Sequence, residues 1–118
     1  MSPLTPPRIE RDSLGERDLP SDVYYGIQTA RAIENFPISG WKPDPSLVTA
    51  TVQIKKAAAR VNGEIGVLDP RLADAIERAT DQILEGGLRD QFVVDPVQAG
   101  AGTSHNMNAN EVLANRAY

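Results

Sequence analysis

Gly100-Ala101-Gly102 is followed at once by two hydroxyls, Thr103 and Ser104, then by the single histidine of the chain, His105, and by the amides Asn106, Asn108, Asn110 and Asn115. Nowhere else does so much polar side-chain chemistry stand beside so little bulk. Small residues let a backbone approach a ligand closely, because no side chain is in the way. A helix starting here would offer unpaired N–H groups and the positive end of its dipole to an anion. Thr103 and Ser104 add hydroxyls that donate to an anion or accept from an ammonium group. The stretch is a candidate cradle for a small carboxylate, centred on Thr103. A plainer reading stands beside it: Thr103 caps the helix and does nothing more.

The neighbouring residues narrow the chemistry. A dinucleotide fingerprint needs a third glycine three residues after Gly102, where this chain has His105, and a P-loop needs a lysine, of which none follows Lys56. His105 has no neighbouring carboxylate in the sequence to orient it as a base, so it reads as a solvated or supporting group. Asn106 and Asn110, four residues apart, share one helical face, and Thr103 lies on that face too. Amides are poor helix formers, so their repetition predicts a face that meets polar partners.

These residues need elements to hold them. Phe92-Val93-Val94 reads as a short extended run leading into Asp95-Pro96 and the glycine loop, with the last helix beginning near Thr103. Two further helices are signalled by Asp44-Pro45 and Asp69-Pro70, an N-cap carboxylate followed by proline at the first helical position. Leu47, Ala50, Ile54, Ala58, Val61 and Ile65 form one apolar stripe, and Leu72, Ile76, Ala79 and Ile83 a second. Gly66 and Gly86-Gly87 supply the stops, and the short turn between the two helices predicts antiparallel packing. Ahead of them, Ser21-Asp22 offers a cap before a helix-like segment reaching Phe36, with Gly26 weakening the front of that helix and suiting a break or tight turn. Arg8–Pro20 suits either two short strands around a turn at Leu14-Gly15-Glu16 or a charged surface loop. The last helix reaches Tyr118 without a glycine, proline or polar cap, which leads to the expectation that the chain is an excerpt of a longer protein, with Val112, Leu113 and Tyr118 left exposed.

Composition limits the partners. The chain has 118 residues, 41% of them hydrophobic, and a net charge of −4. This suits one domain with a modest core and argues against nucleic acid, which would need a clustered basic face. The absence of cysteine excludes disulfides and thiolate zinc sites and fits a cytoplasmic location. No run has the length of a membrane span or of a signal-peptide core.

The stretch GAGTSHNMNANEVLANRA closely resembles the first signature of the aspartase/fumarase superfamily, G-[SA]-G-T-x-x-N-M-N-x-N-E-V-x-A-N-R-A. RIERDSLGERDLPSDVYYGIQTARAIENFPIS resembles the opening of its aspartate ammonia-lyase branch, and the Lys-Lys-Ala-Ala-Ala block and DQFVVDPVQAGAGT agree. Ala101, Ser104 and the Ala-Ile-Glu-Asn-Phe segment favour that branch over the class II fumarases, which remain the alternative. The resemblance implies an all-α fold: residues 1–118 would be the N-terminal helical domain, with a short β-hairpin and the start of a central bundle helix. It further implies a cytoplasmic homotetramer that interconverts L-aspartate with fumarate and ammonia, with no cofactor and no metal. Thr103 takes the family's substrate-contacting position, Ala101, Gly102 and Ser104 line the same turn, and Asn106 and Asn110 support it. His105 falls at a variable position.

The family's serine base, in a Gly-Ser-Ser-x-Met-Pro loop, its Thr-His pair and its lysine have no counterpart in these 118 residues. No catalytic residue is therefore assigned here, and the purified 118-residue chain is expected to release no fumarate from aspartate in a coupled assay. The remaining reading, from another class, is a helical interaction module without chemistry.

Overall fold

The computed structural model describes residues 5–118, which form four α-helices and a two-stranded hairpin. Strands β1 (Arg8–Asp12) and β2 (Gly15–Leu19) pair antiparallel with Asp12 opposite Gly15. The turn is thus Ser13-Leu14, one residue earlier than expected. The Asp12 carboxylate shapes it by accepting from the Leu14 amide, and it also receives Nε and Nη2 of Arg31 at 2.8 Å each. Arg31 reaches on to the Gly15 carbonyl, so one guanidinium fastens the hairpin to the helix behind it.

That helix, α1 (Ile27–Asn35), starts later than Ser21-Asp22 predicted. Its N-cap is Gly26, which has no side chain to cap with; two remote carboxylates serve instead. Glu10 accepts from the Ile27 amide, while Glu111, 82 residues beyond Thr29, accepts from the amides of Gln28 and Thr29 and from the Thr29 hydroxyl. Both carboxylates crowd Gly26, and a Cβ there would collide with the Glu111 Oε2. The glycine that weakened the sequence signal is the residue that admits the real cap.

Helices α2 (Pro45–Glu64) and α3 (Pro70–Leu84) begin as predicted, Asp44 accepting from the Ser46 amide and Asp69 from the Arg71 amide, both at 2.8 Å. They run antiparallel, as the ion pairs Lys56–Asp81 and Arg60–Glu77 show. On α3 the predicted stripe holds at Ile76, Ala79 and Ile83, but Leu72 is exposed and Ala73 is buried in its place. The α2 prediction is overturned. Val48, Val52 and Ala59 face the core, while Leu47, Ile54, Val61 and Ile65 are exposed, Ile54 by 67%. This helix carries two apolar stripes one position apart, and periodicity alone does not say which one α3 will cover.

The core lies where α2, α3 and the last helix, α4 (Thr103–Ala117), meet, with Val48, Val52, Ala79, Ile83, Phe92, Ala109, Val112 and Leu113 packed together. The exposure expected for Val112 and Leu113 is therefore wrong; they fall on the inner face of α4, and only Tyr118 stands in solvent. The Phe92-Val94 run forms no strand. A 3₁₀ turn (Arg89–Gln91) precedes it, and the segment runs irregularly, Phe92 and Val94 turned inward. No helix among the described residues is long and apolar enough to cross a membrane.

Candidate functional site

The amides of α4 divide into distinct tasks. Asn108 is fully buried. It accepts from the Val93 amide and donates to the Gln91 carbonyl, both at 2.9 Å. It thereby satisfies the backbone of the irregular segment as a neighbouring strand would. Asn115 donates to the Tyr24 carbonyl at the far end. Asn106 and Asn110 lie on another face, as predicted: Asn106 accepts from the Lys55 ammonium at 2.5 Å, and Asn110 is half-buried in the α2–α4 cleft beside Lys55. In the sequence Asn108 is one amide among four, and its place two residues after Asn106, off the Thr103 face, is the signal of a separate task.

The glycine loop is set by a second anchor. Asp95 is buried and gathers five donors: the amides of Ile38, Ser39, Gly40 and Val97 and the Ser39 hydroxyl. It joins the connector after α1 to the segment that opens the loop. Burial pushes its carboxyl up, but the Ser39 hydroxyl and the amides of Val97, Ser39 and Gly40 outweigh this and carry it from 3.8 down to about 2. A carboxyl with a lowered folded value adds stability above 3.8 and loses it as pH falls through about 2. Asp95→Asn is thus expected to melt below the parent protein at neutral pH, with the gap closing across that acid window. Melting curves taken from neutral pH down to about 2 check this; a gap independent of pH would contradict it.

Gly102 adopts the left-handed conformation, φ 73°, and is the N-cap of α4, with no side-chain cap bond. Thr103 is therefore the first helical residue and does not cap the helix, which removes the plainer of the two sequence readings. Its side chain is exposed and its hydroxyl bonds to none of the described residues. Ser104, half-buried, is likewise uncommitted, and neither residue's amide finds an acceptor, whereas the His105 amide donates to Gln98 Oε1. Two N–H groups and two hydroxyls thus stand at the positive end of a 15-residue helix, an arrangement that favours an anion. Ala101 is exposed beside them and leaves the approach open.

His105 is turned away from that approach. It is 8% exposed and tilted against Phe92, ring centroids 6.4 Å apart. Its Nε2 lies 2.9 Å from the Thr51 hydroxyl, whose one proton goes to the Leu47 carbonyl. Nε2 must then be the donor, which leaves Nδ1 as a buried acceptor with no partner among the described residues. Burial, and next the Lys55 charge, push the His105 value down, which favours the neutral ring. A cleft of about 270 Å³ lies between the glycine loop and Pro43-Leu47, with His105 in its wall. A wider cavity, about 660 Å³, opens beside Arg89 and Phe92 and holds none of the predicted site residues.

A family model described as a lyase matches residues 15–117. An aspartate ammonia-lyase of Bacillus sp. is 56% identical over 110 residues, 93% of this chain and 24% of that protein. A class II fumarate hydratase of Halobacterium salinarum is also 56% identical over 110 residues, covering 93% and 23%. Among solved structures, the fumarate lyase:delta crystallin of Brucella melitensis in native form superposes with a TM-score of 0.91 at 55% identity, over 93% of this chain and 25% of that one. The chain spans about a quarter of the length of the curated relatives it matches.

Proposed function

Because the chain belongs to the lyase family, we propose that it is the N-terminal domain of an aspartate ammonia-lyase and that its α4 turn binds the substrate. The observation that carries this reading is the uncommitted set of donors at Thr103 and Ser104, at the positive end of α4, in a chain 56% identical to an aspartate ammonia-lyase. In the proposed reaction a base removes the C3 proton of L-aspartate, the electron pair moves into the β-carboxylate as an aci-carboxylate, and the amino group leaves as ammonia when the C–N bond breaks. Fumarate remains. The demand on this chain is to hold the carboxylate whose charge grows. Fixed donors aimed at developing charge are a large source of rate enhancement. Thr103 is the residue for that task, with the Gly102 and Ser104 backbone beside it, Ala101 leaving room, and Asn106 and Asn110 supporting the face.

The base and the leaving-group acid belong to parts of the enzyme outside these 118 residues. The enzyme is proposed to be a cytoplasmic homotetramer that uses no organic cofactor. A second reading, malate–fumarate hydration, is favoured by the equal identity to the Halobacterium hydratase. Ala101 and Ser104, where the fumarases carry Ser and Gln, support the ammonia-lyase. Supplying aspartate and malate side by side to the whole enzyme decides between them: fumarate from aspartate alone is expected, and fumarate from malate alone would replace the first reading by the second.

A further inference from the structure

Along the α2–α4 seam, each turn of α2 meets the next part of the site: Leu47 flanks the glycine loop, Thr51 bonds His105, and Lys55 bonds Asn106. Of these side chains only Lys55 is charged, and its charge is not neutralised. Most other cations are paired with carboxylates: Arg8, Arg11, Arg17, Arg31, Lys56, Arg60, Arg71 and Arg78 all have an acidic partner within 3.8 Å. Arg89 is spent on two carbonyls and the Thr49 hydroxyl, and Arg116 on Gln82. Lys55 instead rests half-buried on a neutral amide, one helical turn beyond Thr103 on the same face of α4. Its neighbour Lys56, one residue on, points to α3 and Asp81. Asn106 occupies one of the three N–H donors of Lys55, so two remain for an anion.

We propose that Lys55 is a substrate-binding residue: its ammonium and the Thr103 hydroxyl hold one carboxylate of the dicarboxylate between them, with Asn106 fixing the ammonium in place. This rests on the reading of the α4 turn as the substrate site and adds the positive charge that the turn lacks. A dipole and two hydroxyls discriminate weakly between a carboxylate and a neutral amide, whereas an ammonium adds the attraction of opposite charges for the former alone. Lys55 is then the residue that makes the site select a charged group.

Two variants of the whole enzyme test this. Lys55→Gln removes the charge. Asn106→Asp leaves the lysine in place and neutralises it with an ion pair that itself supports the fold, so a binding defect there is not a folding defect. Both are expected to raise KM for aspartate, and the inhibition constant of succinate in parallel, by about ten- to a hundredfold, the scale of a charge-assisted bond. Lys55→Arg should recover part of the loss. The salt dependence of kcat/KM should flatten in both neutralised variants. An unchanged KM and succinate constant in Asn106→Asp would overturn the proposal, as would equal losses for succinate and its uncharged diamide. If Thr103→Val impairs turnover while the Lys55 variants do not, the role of Lys55 falls and the substrate turn stands. If neither has an effect, both fall.

Discussion

Replacing Thr103 by valine in the whole enzyme is expected to lower turnover of L-aspartate by about a hundredfold, the scale of losing one donor to a developing oxyanion. The substitution preserves shape and deletes one hydroxyl. Melting temperature should not move, because that hydroxyl is exposed and bonds to none of the described residues. This pairing is the informative part. A capping threonine would give the opposite result, a stability loss of about 1 kcal/mol with turnover intact. Steady-state kinetics and a thermal melt on one preparation separate the two, and unchanged kinetics would end the role assigned to Thr103.

The second large effect concerns stability. Asn108→Leu is expected to destabilise the fold by about 3 kcal/mol, because a side chain of similar size removes both hydrogen bonds and leaves the Val93 amide and the Gln91 carbonyl unpaired. An unsatisfied buried group costs more than the bond it lost, so the penalty exceeds that of an exposed amide such as Asn106. Denaturant unfolding of the two variants side by side measures the difference. A loss below about 1 kcal/mol would mean that the segment before the loop re-satisfies itself with water. The same variant should also weaken substrate binding, since the segment that Asn108 holds leads directly into Asp95 and the glycine turn.

What the sequence revealed and what it hid divide along one physical line. Asp44-Pro45 and Asp69-Pro70 announced their helices because the whole cap lies within three residues. The hairpin was legible for the same reason, and the glycine turn with Thr103 stood out by its run of small residues. Hidden features depend on partners far along the chain. The cap of α1 sits at Glu10 and Glu111, so Ser21-Asp22 drew attention to the wrong start. Val48 and Val52 are no more apolar than Leu47 and Ile54, and only the approach of α3 and α4 picks the inner pair. Asn108 looks like its neighbours until Gln91 and Val93 lie beside it. Nothing around Asp95-Pro96 in the sequence announces its five donors, which come from residues 38–40 as well as from Val97.

The remote cap on α1 also bears on the order of assembly. A nine-residue helix is too short to persist alone in water, and the acceptor for its Gln28 and Thr29 amides arrives only when α4 docks. Helix α1 therefore completes its cap only against the α2–α3–α4 core and is expected to form late, as a follower of that core. In native-state hydrogen exchange the Gln28 and Thr29 amides should open together as one cooperative unit. Glu111→Gln should speed their exchange while leaving the slow protons of Val52 and Ile83 untouched, making this single carboxylate the latch between α1 and the core.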